Sequence, residues 1–222
     1  MQMVLDREVP GHSALVVDAN PTTRSVLMAQ LRDFGFGTVK AANRIADARE
    51  MIEHRRFNLI LCDDDIDGNG GTGQDLLEEL RREQLLPYST VFVMLTPEAT
   101  YARVAEAAEA ALDSFMVKPF SANSLFERLK EARRRKRVLK DIFEAMESKD
   151  FERAADLCLQ RFSQRQPYWL YAARIGAELL LILKRNDEAK ALYDAVIAAK
   201  TLPWAKLGVA RVQLADGDVV QA

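Results

Sequence analysis

The chain has 222 residues, enough for one large domain or two modest ones. Hydrophobic residues make up 49% and charged residues 29%, the balance of a globular protein and not of a disordered one. The net charge of −2 gives no overall pull toward nucleic acid or an anionic membrane. The longest aliphatic run, Leu179–Leu183, is too short to span a bilayer. The N-terminal stretch MQMVLDREVPGHS lacks the apolar core of a secretory signal. Cys62 and Cys158 lie in apolar segments with no CxxC partner, which reads as buried, reduced thiols in a cytoplasmic protein.

Over the first 120 residues short apolar runs alternate with amphipathic stretches. Ala14–Val17, Thr38–Ala41, Leu59–Cys62, Val91–Leu95 and Phe115–Val117 predict strands. Thr22–Phe34, Arg44–Arg55, Gln74–Glu83, Glu98–Ala110 and the segment from Ala122 predict helices. Strand–helix alternation with near-continuously apolar strands predicts a five-stranded parallel, doubly wound sheet covered on both faces.

After Pro119 the pattern is helical, interrupted at Gln164–Pro167 and Thr201–Pro203. No glycine or proline occurs between Phe120 and Gln166, and Ser121 is a suitable N-cap. The helix from Ala122 is therefore expected to run with little or no break into the next, near Val138. Trp169 and Trp204 are 35 residues apart, and Ala154, Ala189 and Ala222 are spaced by 35 and 33. A period near 34 residues is that of TPR-like helical hairpins, in which small residues permit close helix packing. A generic helical bundle is the plainer alternative. The expected organisation is a tail over 1–12, an α/β domain over 13–136 and TPR-like repeats over 137–222. The third unit, opening at Trp204, ends about one turn into its second helix. It is thus expected to continue beyond Ala222, and the apolar side of Trp204–Leu214 to seek cover, for instance in a homodimer.

Open α/β sheets place ligands at the carboxyl ends of their strands. There the sequence puts Asp18 after the first strand, Asp63 with Asp64 and Asp65 after the third, Thr96 after the fourth, and Lys118 before Pro119 after the fifth. Such an oxygen-rich rim suits a hard cation such as Mg²⁺. A cation, a lysine and a hydroxyl together neutralise a phosphoryl group delivered to a carboxylate.

The stretches ALVVDANPTTRSVL, NLILCDDD, VFVMLTPEAT and DSFMVKPFS resemble CheY-like receivers of two-component response regulators, over about residues 12–135. The resemblance implies a flavodoxin-like receiver with Asp63 as phospho-acceptor and Mg²⁺ held by Asp18, Asp63 and Asp65. It further implies Thr96 as the switch hydroxyl, Phe115 as the switch aromatic, Lys118 contacting phosphate and a cis bond before Pro119. A sensor histidine kinase would be the donor. Two departures stand out. Receivers carry two adjacent acids after the first strand, and here the second position is Ala19, which implies weaker Mg²⁺ binding. The loop Asp64–Gly73 is about two residues longer than usual and rich in glycine.

The implied function is a phosphorelay switch, not an enzyme, whose output is protein–protein contact through the repeats. A degenerate, unphosphorylated receiver acting as a scaffold is the alternative that Ala19 raises. A haloacid-dehalogenase-type phosphohydrolase has a similar order of Asp, Thr and Lys motifs, but needs a further acidic strand after the lysine, where this chain is helical. Arg133–Arg137, flanked by Glu127, Glu131 and Asp141, reads as a helical surface and not as a nucleic-acid site. His12 and His54 read as surface residues. Gly68, Gly70, Gly71 and Gly73 make no phosphate loop, since no GK[ST] follows.

Overall fold

The structure is a computed structural model describing residue 5 and residues 9–66, 71–97 and 114–215, with Leu214 and Ala215 described by backbone alone. The helix expected over Glu98–Ala110, Gly68, Gly70 and the turn from Asp216 to Ala222 lie outside the described residues. The chain divides into two compact units between Arg134 and Arg135.

In the first unit the strands are β1 (Ser13–Val17), β2 (Thr38–Ala42), β3 (Leu59–Asp63), β4 (Val91–Thr96) and β5 (Ser114–Val117). They form one parallel sheet in the order β2-β1-β3-β4-β5. The helices are α1 (Pro21–Asp33), α2 (Ile45–His54), α3 (Gly73–Arg82) and α4 (Ala122–Val138). The doubly wound sheet expected from the alternation is thus present, with element ends within one residue or so of expectation. Successive side chains of a strand point to opposite faces. Accordingly Val16, Leu61 and Val93 pack with α1 and α4 residues such as Leu31 and Leu129. Val17, Ile60 and Phe92 pack with Ile52 of α2 and Leu76, Leu77 and Leu80 of α3.

Two residues of the expected tail join the core of the first unit. Leu5 and Val9 are buried in the α1/α4-side core, and Leu5 N–H bonds the Phe34 carbonyl at 3.3 Å. The apolar pair gains more by joining that core than by remaining in water.

In the second unit the helices are α5 (Lys140–Glu147), α6 (Phe151–Ser163), α7 (Trp169–Ile182), α8 (Asn186–Ala199) and α9 (Pro203–Ala215), each packed against the next. The unit boundary falls inside α4, and only Leu139 separates α4 from α5. Hydrogen bonds Leu139 N–H to Arg135 and Phe143 N–H to Leu139 cross that break. Ala154 and Ala189 are fully buried. Trp169, opening α7, packs on Phe162 of α6 at 5.4 Å between ring centres, and Trp204, opening α9, packs on Tyr193 of α8 at 6.1 Å. Gly176 and Gly208 admit the neighbouring helices. A Cβ at Gly176 would lie 2.7 Å from the Cys158 Cβ, and one at Gly208 would enter the Tyr193 ring.

The turns α5–α6 and α7–α8 are built alike. Lys149 (φ 62°) and Lys184 (φ 59°) are left-handed, and the next N–H returns to Ala145 and to Leu180 respectively. This helix-ending turn favours glycine, because a Cβ costs about 1 kcal/mol or more in the left-handed region. Lys184→Gly should therefore raise the stability of the second unit by roughly 1 kcal/mol, readable as a higher denaturation midpoint. A lower midpoint would show that the Lys184 side chain contributes more than its backbone costs.

Candidate functional site

Strand order reverses between β1 and β3, so the loops leaving these strands diverge and open a crevice at their carboxyl ends. Val17 pairs with Cys62 in register, which sets Asp18 and Asp63 side by side across it. Asp18 is fully buried and held on three sides. Its N–H bonds the Ala42 carbonyl at 3.2 Å, its Oδ1 accepts the Asn20 N–H at 2.8 Å, and its Oδ2 accepts Lys118 Nζ at 3.2 Å. Lys118 Nζ also donates to Asp63 Oδ2 at 2.7 Å, so one ammonium joins two carboxylates 100 and 55 residues away in sequence.

Burial pushes the Asp63 carboxyl above the ordinary aspartate range, and Asp18 adds to the effect; Lys118 and the Asp65 N–H oppose it without reversing it. Burial would lower the Lys118 ammonium, but its bonds to Asp63 and Asp18 outweigh that and hold it above the usual lysine value. The site is therefore a cation locked between two carboxylates, with Asp63 ionised less readily than an exposed aspartate.

Thr96, buried, ends β4 one residue beyond Leu95, the cross-strand partner of Asp63. Its carbonyl accepts the Lys118 N–H at 2.8 Å. The Lys118–Pro119 bond is cis. Phe115 is half-buried on the α2/α3 side of the sheet. Asp64 is buried, with its N–H on the Leu95 carbonyl and its carbonyl taking the Gly73 N–H. The loop after β3 is closed by an Asp65–Thr72 backbone bridge, and Thr72 and Asp75 form a reciprocal cap on α3.

Asp18 and Asp63 offer only oxygen donors, which fits a hard divalent cation as a two-carboxylate set. The third expected ligand does not join them. Asp65 is exposed, and it gives the site its backbone N–H. Among the described residues no three His, Cys, Asp or Glu side chains form a metal-holding group. With Ala19 in the adjacent position, the donor set is smaller than the one expected.

Two participants were missed in the sequence. Asn20 caps α1 through Thr22 and Thr23, a signal that Asn followed by Pro at the first helical position does carry. Arg24, one turn later, donates from one guanidinium nitrogen to the carbonyls of Asp18 at 2.6 Å and Ala19 at 3.2 Å. Its spacing from Asn20 places it on the capping side of the helix, the only hint available.

A model of the response regulator receiver domain matches residues 14–130. Chemotaxis protein CheY-3 of Vibrio cholerae is 32% identical over 129 residues, covering 58% of this chain and 95% of the relative. Chemotaxis protein CheY of Pseudomonas aeruginosa is 33% identical over 117 residues, covering 53% and 92%. A CheY-like receiver domain protein from Methanospirillum hungatei is similar in fold, with TM-score 0.50 at 24% identity over 57% of this chain and 96% of that one. So is the signal receiver domain of a LuxO repressor protein from Vibrio parahaemolyticus, with TM-score 0.51 at 16% identity over 57% and 93%.

Proposed function

Because this chain belongs to the response regulator receiver family, we propose that Asp63 accepts a phosphoryl group from a sensor histidine kinase and that the second unit carries the output as TPR-like repeats. The carrying observation is the Lys118 ammonium shared between Asp18 and Asp63. An ionised Asp63 oxygen attacks the phosphorus of the donor's phosphohistidine, the P–N bond breaks, and the imidazole nitrogen keeps the electron pair. Lys118 faces the charge that the new phosphoryl group brings. Mg²⁺, when bound, would add charge neutralisation, and Asp18 and Asp63 are the residues that would hold it. Thr96 and Phe115 act as the switch: the hydroxyl moves toward the phosphoryl group and the ring turns inward, shifting an existing equilibrium.

The TPR-like reading of the second unit is supported by the full burial of Ala154 and Ala189, 35 residues apart, and by two sequence fragments. Trp204, Leu207 and Gly208 fit the W-x₂-L-G of such repeats, and Ala189 with Tyr193 fits the A-x₃-F with tyrosine for phenylalanine. The partner is a protein, with a second copy of this chain as one alternative. Among the described residues of the second unit, Ile182 and Leu207, 63% and 40% exposed, are the large apolar side chains open to it. Among the described residues no helix is long and apolar enough to cross a membrane, and we place the protein in the cytoplasm beside its kinase. We read it as a switch and not as a hydrolase.

The test is labelling with acetyl phosphate and Mg²⁺, mapped by mass spectrometry. Asp63 should be the sole modified residue, and Asp63→Asn should take up nothing. Stoichiometric labelling of that variant, or labelling at Asp64, would overturn the assignment. Ala19 favours one second reading, a scaffold that is never phosphorylated. It predicts no labelling and no response to fluoroberyllate.

The raised Asp63 carboxyl has two consequences. The nucleophile is the carboxylate, so in the metal-free protein labelling should be lost with falling pH at a pH above that of an exposed aspartate, and Mg²⁺ beside Asp63 should move that loss to lower pH. A folded-state pKa above the unfolded one also means that the protonated form favours folding. That contribution is present at low pH and is lost as pH rises through the folded pKa. At neutral pH, then, neutral Asp63→Asn should unfold at a higher temperature than the parent chain; a lower one would show that the Lys118 bond outweighs the burial.

A further inference from the structure

We propose that Arg24 is a positioning residue for phosphoryl acceptance, holding the turn after β1 so that the Asp18 carboxylate stays aimed at Lys118 and at the cation site; this rests on the reading of Asp63 as acceptor. Arg24 binds two consecutive carbonyls, Asp18 at 2.6 Å and Ala19 at 3.2 Å, with one nitrogen. Among the described residues it makes no ion pair with a carboxylate, so the guanidinium is committed to the backbone. The shorter bond, to Asp18, is charge-assisted, and such bonds are about twice as strong as neutral ones. The held turn also includes Asn20, whose N–H fixes Asp18 Oδ1 and whose side chain caps α1. The Arg24 N–H makes the first backbone bond of α1, to the Asn20 carbonyl at 3.0 Å, which sets residue 24 in the first turn beside residues 18 and 19.

The clamp matters more here than in a site with an acidic pair. With Ala19 at the second position, Asp18 and Asp63 are the carboxylates left to hold a cation. The residue next to Asp18, Ala19, has no carboxylate to take over from a misaimed Asp18. Groups that orient a metal ligand typically change metal affinity about 10–100-fold when removed.

The experiment uses the full chain and compares Arg24→Ala, Arg24→Lys and Arg24→Met. Mg²⁺ binding is measured directly by calorimetry, acetyl phosphate labelling of Asp63 by mass spectrometry, and folding by circular dichroism. The expected result is Mg²⁺ affinity weakened about tenfold or more in Arg24→Ala, slower labelling at fixed Mg²⁺, and substantial recovery in Arg24→Lys, which keeps a cationic donor. If Arg24→Ala does not fold, Arg24→Lys against Arg24→Met carries the comparison. Wild-type Mg²⁺ affinity and labelling rate in Arg24→Ala would overturn the proposal. So would equal loss of thermal stability in all three variants with Mg²⁺ affinity unchanged, which is the mark of a purely structural residue. Failure of the parent chain to label at Asp63 would overturn the acceptor reading and this proposal with it, whereas a labelled parent indistinguishable from Arg24→Ala overturns this proposal alone.

Discussion

Gly73→Ala should destabilise the receiver unit by about 3 kcal/mol, the upper part of the range for overpacking a close-packed site. Gly73 opens α3 directly beneath the acceptor strand. A Cβ there would run into the Asp63 carbonyl oxygen, would lie 2.6 Å from Met94 Sδ and would be 3.0 Å from Cys62 Sγ. The carbonyl is backbone and cannot rotate aside, so either α3 retreats from the sheet or the end of β3 moves. Both break the Gly73 N–H bond to Asp64 at 3.0 Å that returns the loop to the strand. The expected readouts are a lower urea midpoint and slower labelling of the protein that remains folded. Gly11→Ala is the control, since nothing lies within 4 Å of the added carbon. Equal midpoints for the two variants would show that the α3 start yields freely.

Gly73 also marks where sequence reading reached its end. Composition shows that the loop is rich in glycine and carries no phosphate-loop motif. The need at Gly73 is instead for space against an atom of the neighbouring strand, and no local pattern encodes that distance. Gly176 and Gly208 are the same case: they are 32 residues apart, out of step with the tryptophan spacing, and their role depends on which helix lies opposite. The strands, by contrast, were legible because a strand buried on both faces must be continuously apolar. Asp18, Asp63, Thr96 and Lys118 were legible because each directly follows or ends such a run, where topology gathers ligating groups. The exposed side chain of Asp65 was not legible, because its neighbour's position does not fix which way a loop side chain turns. Leu5 and Val9 were misplaced because two apolar residues in a polar stretch give no periodicity.

Ala19→Asp should tighten Mg²⁺ binding about tenfold or more, since cation affinity rises with the number of charged ligands. The present site joins two carboxylates to one ammonium. A third carboxylate at position 19, without a cation, would be repelled by Asp18 and Asp63 and would push the Asp63 carboxyl further up. The metal-free variant should therefore unfold at a lower temperature than the parent chain. Adding Mg²⁺ should reverse the order, because a ligand stabilises the folded state in proportion to the logarithm of its concentration over its dissociation constant. The backbone should tolerate the change, since Arg24 holds residue 19 by its carbonyl and not by its side chain. The measurements are thermal unfolding with and without Mg²⁺ and the rate of labelling by acetyl phosphate, which should rise with cation occupancy. A variant that gains no more stability from Mg²⁺ than the parent chain does would show that a group in the loop after β3 already supplies the missing ligand.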